Sequence, residues 1–182
     1  LSVEGKKIYT SARDGGGNLL LNGPIISDRY LTFLVDEVKP FIDKNYSTQA
    51  GPESTFIMGS SHGGLISIYA LCQYPEVFGG AACLSTHWTG LFEHNDHILD
   101  SLVAYLEGAL PEPGKHRIYF DHGTETLDSL YGPYQKKVDA VMHSKDYSGS
   151  WTTRIFEGAA HTENDWRARL SVQFSYLLSV LE

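Results

Sequence analysis

The stretch Ser54-Thr-Phe-Ile-Met-Gly59-Ser60-Ser61-His62-Gly63-Gly64-Leu65-Ile66 decides how this chain folds. Residues 54–59 form a short apolar run of the length and composition of a buried strand. From Gly63 to Tyr74 the pattern is helical, and Pro75 stops it. Strand and helix are therefore joined by a very sharp turn. Gly59 and Gly63 are expected to remove side chains that would collide where the two elements pack.

The same alternation continues on both sides. Upstream, Ser27 reads as an N-cap, and Leu31, Leu34, Val38 and Phe41 fall at helical spacing. Downstream, 80–85 is a second small buried strand, and Ile98, Leu102 and Tyr105 mark a helix ending near Pro111 and Pro113. A strand at 117–120 runs into Asp121-His-Gly-Thr124. Leu127, Tyr131, Tyr134, Val138 and Val141 then line one helical face. A strand at 151–156 precedes a closing helix with an apolar stripe of Leu170, Phe174, Leu177 and Leu181. Tyr30, Tyr46, Tyr131 and Tyr134 read as core or interface residues. Strands alternating with helices make βαβ units, so the fold class is α/β with a mainly parallel sheet and flanking helices. Residues 1–26 are expected to be an irregular segment, because Gly15-Gly16-Gly17 and Asn22-Gly-Pro24 break regular structure. Residues 27–182 form the α/β unit.

Composition narrows the partners. A net charge of −8, from 22 acidic against 14 basic residues, repels phosphate backbones and argues against nucleic acid. No apolar run reaches the roughly 18 residues of a membrane helix. Cys72 and Cys83 sit among apolar neighbours and read as two buried thiols rather than a disulfide. His94, Asp96, His97 and Asp100 are metal-type residues, but they mix hard and soft ligands with no second cluster, so no metal and no cofactor is expected.

The chemistry points back to the opening stretch. Gly59-Ser60-Ser61-His62-Gly63 matches Gly-x-Ser-x-Gly, in which the middle serine stands clear at the end of a strand as a nucleophile. Ser60 is the rival hydroxyl, in poorer register. The His62 N–H, at the helix start, faces the position of a developing oxyanion. A serine needs a base, and of the eight histidines only His161 lies in the loop after the last strand and before the last helix. The base needs an orienting carboxylate from the loop after 117–120. Asp128 is preferred there, Glu125 is the alternative, and Asp121 is read as a structural residue at the sheet end. His87 and Trp88, after strand 80–85, lie where such a sheet opens onto ligand and are candidate substrate contacts.

These segments together resemble the putative-esterase group of α/β-hydrolases, which includes esterase D, feruloyl and acetylxylan esterases, and siderophore esterases. The resemblance rests on the elbow at 59–64, Tyr74-Pro-Glu-Val-Phe-Gly79, Leu84-Ser-Thr-His-Trp88, Asp121-His-Gly-Thr124 and Gly158-Ala-Ala-His161. It implies an α/β-hydrolase fold with Ser61 as nucleophile, His161 as base and an acid from the loop after Gly123. The implied activity is hydrolysis of a small-molecule carboxylic ester through an acyl-serine, with a carbohydrate-linked ester as one candidate. Acyl transfer is an alternative, as is a catalytically impaired fragment serving as a binding module. Members of the group carry further strands before the elbow strand, including the loop that gives a second oxyanion donor. Here only Lys7-Ile-Tyr-Thr10 and Leu19-Leu-Leu21 are candidates. The chain therefore reads as the C-terminal portion of such a domain with its N-terminal strands missing. Strand 54–59 is then expected as an exposed edge or as one paired with another chain, which would make a homo-oligomer. A substitute strand from residues 1–26 is less favoured, because Gly15-Gly16-Gly17 is a poor strand former.

Overall fold

A computed structural model describes residues 26–94 and 96–179. The expectations for 1–25, including both short strand candidates, and for Leu181 lie outside the described residues. The helical entry consists of α1 (Ser27–Phe33), a π-helical turn (Leu34–Val38) and α2 (Lys39–Asn45). Then follow β1 (Phe56–Ser60), α3 (His62–Gln73), β2 (Gly80–Leu84), α4 (Asp96–Ala109), β3 (Arg117–Gly123), α5 (Tyr131–Ser144), β4 (Trp151–Phe156) and α6 (Glu163–Leu178).

The four strands form a parallel sheet in the order β1-β2-β3-β4. Each crossover steps one strand in the same direction, which sends α3, α4 and α5 to one face. Period-two alternation in β2 splits the core. Ala81 and Cys83 face a large cluster with Ile68, Leu71, Leu99, Leu106, Val138 and Met142. Ala82 and Leu84 face a smaller one with Tyr119 and Leu177. The small residues of β2 let strands and helices approach closely. At Gly80 a Cβ would lie 2.5 Å from the Arg117 carbonyl oxygen.

Three details depart from the sequence expectations. The cap position of α1 is Ile26, with no side-chain capping bond, so Ser27 is the first helical residue. Pro40, at the start of α2, has no N–H to give Asp36, and its ring would crowd that carbonyl. The wider π turn before it relieves this. That extra residue per turn rotates the helical face, which leaves Phe41 exposed although Leu31 is buried. Tyr30 and Tyr46 are likewise exposed, whereas Tyr131 and Tyr134 are buried. Finally, α6 buries Arg169, Gln173 and Leu177 rather than a wholly apolar stripe, and Phe174 faces outward. Cys72 and Cys83 are free thiols, and burial raises the pKa of Cys72 to about 12.

Among the described residues β1 pairs with β2 alone, on one side. None of the described helices is long and apolar enough to cross a membrane.

Candidate active site

In a parallel sheet every strand ends on the same edge, and the loops that leave those ends converge. Here they carry Ser61 after β1, Ser85 to Trp88 after β2, Asp128 after β3 and His161 after β4.

Ser61 sits between β1 and α3 at φ 58°, ψ −120°, a conformation that L-residues rarely hold. Its N–H donates to the Leu84 carbonyl at 2.9 Å. Its own carbonyl accepts from Gly64 N–H at 3.0 Å and His87 N–H at 3.3 Å. The neighbouring strand end and the helix start thus hold the strain in place. Only one of the two expected glycines is sterically required. A Cβ on Gly59 would lie 2.5 Å from the Gly63 carbonyl oxygen, whereas a Cβ on Gly63 would meet nothing within 4 Å. Gly64 is the second crowded position, 2.7 Å from the Thr86 hydroxyl.

His161 and Asp128 are joined by a hydrogen bond of 2.6 Å between Nδ1 and Oδ1. The loops that bear them are stitched along their length. Thr124 and Glu125 N–H both donate to the Ala159 carbonyl at 3.0 Å, and His161 N–H donates to the Thr126 hydroxyl at 2.8 Å. The approach is so close that a Cβ on Gly123 would lie 2.0 Å from that same carbonyl. A 3₁₀ turn, Thr126–Leu130, points Asp128 inward, fully buried, and leaves Glu125 exposed. Asp128 Oδ2 accepts from Gly123 N–H at 2.6 Å and from the Ser85 hydroxyl at 2.5 Å. Burial opposes ionisation, yet the bonds from His161, Ser85 and Gly123 prevail and hold this carboxyl below its ordinary range. An ionised carboxylate only accepts, so His161 carries its proton on Nδ1 and keeps Nε2 as its basic atom.

Aromatic rings frame the imidazole. Trp166 and Tyr131 meet His161 edge-on at 4.9 and 5.7 Å between centroids. The His87 ring lies 4.5 Å from that of His62 and shares a 2.8 Å hydrogen bond with the Tyr131 hydroxyl. Burial, reinforced by the nearby His62 and His161, lowers the His87 pKa to about 4, so this ring is neutral at pH 7. The His62 pKa is lowered too, by burial and then by His161.

The placement of Trp88 differs from the expectation of a substrate contact. Tight turns after Thr86 fold the indole under the sheet end, 1% exposed, against Phe120 and bonded to Gln135 at 2.8 Å. His87 is also buried, beneath Phe92, whose ring is 82% exposed and 5.9 Å away. Asp121 lies within β3, where burial raises its pKa against the opposing Arg169, its ion-pair partner at 2.9 Å. Asp96 and Asp100 both pair with Lys137, at 3.3 and 3.4 Å.

Ser85, Tyr131 and Arg169 are site residues that the sequence reading passed over. Ser85 fell inside a strand, Tyr131 inside an apolar stripe and Arg169 on a helix. Their roles arise only when four distant segments meet.

Comparison with known proteins gives the family and the fold. The sequence profile of the Putative esterase family matches residues 9–177. The uncharacterized protein YbbA of Bacillus subtilis is 31% identical over 140 residues, 72% of this chain and 52% of that protein. Carboxylesterase SOBER1 of Arabidopsis thaliana is 26% identical over 161 residues, 77% of this chain and 65% of its own. The chain thus spans about half to two thirds of these relatives. Among solved structures, the enterobactin esterase FES from Shigella flexneri superimposes with a TM-score of 0.66 at 21% identity. That match covers 82% of this chain and 38% of FES. A ferulic acid esterase from Anaeromyces mucronatus gives 0.63 at 16% identity, covering 95% and 62%. Both show the shared fold. By its sequence and its α/β-hydrolase architecture, the chain belongs to the Putative esterase family.

Proposed function

We propose that this chain hydrolyses carboxylic esters through an acyl-serine intermediate, with Ser61, His161 and Asp128 as its catalytic residues. The observation that carries the reading is the buried Asp128 bonded at 2.6 Å to His161 Nδ1, at the same sheet edge as the strained Ser61 elbow. In this mechanism His161 Nε2 takes the Ser61 proton as Oγ attacks the ester carbonyl. The oxyanion develops toward the His62 N–H at the start of α3. Collapse expels the alcohol, which leaves with the proton held by His161. Water then attacks the acyl-Ser61 with His161 again as base, releasing the acid and restoring the hydroxyl. Asp128 stays ionised throughout and compensates the imidazolium. The exposed Phe92 above His87 is the outward aromatic surface beside this centre and a natural wall for the substrate.

The reading is tested by turnover of a small aryl acetate. The chain should hydrolyse it, and Ser61→Ala should not. A second reading, a catalytically impaired chain that binds rather than turns over, is favoured by the single partner of β1 among the described residues. Absence of turnover together with saturable ester binding would select it.

A further inference from the structure

The hydrogen bonds around Ser85 have a forced direction. Its Oγ lies 2.9 Å from Trp166 Nε1, 2.8 Å from Arg169 Nη2 and 2.5 Å from Asp128 Oδ2. Indole and guanidinium can only donate. Ser85 must therefore accept from both, which uses its two lone pairs and leaves its single proton one destination, Asp128. Oδ2 of that carboxylate then receives Ser85 and Gly123, and Oδ1 receives His161. Three of the roughly four acceptor positions on Asp128 thus face donors, which favours its ionised form.

We infer that Ser85 is a positioning residue that locks Asp128 as an ionised acceptor of fixed orientation and so holds His161 in its working tautomer. This extends the proposed function and rests on it for its catalytic consequence. Three further observations agree. Ser85 is fully buried and held at φ 41°, a left-handed conformation that favours glycine, although a serine occupies it. Its N–H is anchored to the Asp121 carbonyl at 2.7 Å, fixing where the hydroxyl can reach. The charge of Arg169 is matched by Asp121, which also accepts from Gln173 at 2.6 Å. Arg169 therefore reaches Ser85 as a hydrogen-bond donor in a neutralised pair, and the negative charge of Asp128 remains for His161 to answer. The other titratable groups facing His161 are His62 on α3, His87 after β2 and Tyr131 on α5.

The test uses the full chain with Ser85→Gly, which suits the backbone, and Ser85→Cys, which keeps the volume but offers a poor donor. The readouts are carbon-13 NMR titration of the Asp128 carboxyl, the downfield proton on His161 Nδ1, and steady-state kinetics. In both variants Asp128 should titrate at higher pH than in the unsubstituted chain, and the downfield proton should weaken or vanish. The kcat for an aryl acetate should fall roughly ten- to a hundredfold with KM little changed. Unchanged Asp128 titration and an unchanged downfield proton in either folded variant would overturn the inference. In the unsubstituted chain the Ser85 hydroxyl proton must exchange slowly with water, and exchange at the rate of a surface serine would also overturn it. The NMR readouts do not need turnover, so a chain without esterase activity would fail the proposed function and still judge Ser85.

Discussion

Asp128 and Glu125 are three residues apart in one loop, and a single 3₁₀ turn gives them opposite fates. The turn buries Asp128 against His161 and Gly123 and leaves Glu125 in solvent. If Asp128 orients the base, Asp128→Asn should lower turnover by up to about 10⁴-fold, because the amide favours the wrong imidazole tautomer. Glu125→Gln should leave it near the starting level. Steady-state kinetics on the two variants decides, and a large loss confined to Glu125→Gln would reverse the assignment. His87 makes a different prediction, about stability. Its pKa falls from an ordinary 6.5 to about 4 in the fold. Between those values the unfolded chain binds a proton that the folded chain refuses, so stability declines as pH drops through that window. By pH 5 the loss is about 2 kcal/mol. His87→Gln retains a polar partner for Tyr131 and should lose less stability from pH 7 to pH 5 in denaturant titrations. Equal losses would contradict the buried neutral imidazole.

At the scale of elements, glycines test how the turns are built. Gly59→Ala drives a Cβ to 2.5 Å from backbone and should cost about 2 kcal/mol or more. Gly63→Ala meets open space early in α3 and should be neutral or stabilising by up to about 1 kcal/mol. Thermal unfolding of both checks this, and equal destabilisation would contradict it. The strands and helices were legible because their apolar periods are strong, and β4 spans the residues its alternation marks. What could not be read depended on distant partners. β3 continues to Gly123 because His122 and Gly123 pair with Ile155 and Phe156 of β4, although neither has the look of a strand residue. Arg169 and Gln173 are buried on α6 because Asp121 waits beneath them, far away in sequence. Trp88, an aromatic residue in a loop at a strand end, resembles a ligand contact until its indole is seen to bond Gln135. Within the proposed catalytic group, Ser61 and His161 are singled out by motif and chain order, and the preference for Asp128 over Glu125 rests on the turn.

Across the whole molecule, the sheet order sends four loops to one edge and leaves β1 with one partner among the described residues. On the helical entry, Tyr30, Phe33, Phe41 and Tyr46 expose large apolar surface. An open strand edge and exposed apolar side chains each invite association. Sedimentation velocity should show association that rises with concentration, and a monomer at every concentration would contradict an open edge. The central claim is that the converging loops assemble an activated serine at position 61. Its most direct measurement is reaction of the full chain with a fluorophosphonate, followed by peptide mapping of the adduct. The account predicts one adduct per chain, on Ser61, lost in Ser61→Ala and retained in Ser60→Ala. An adduct on another residue, or labelling that persists in Ser61→Ala, would contradict it.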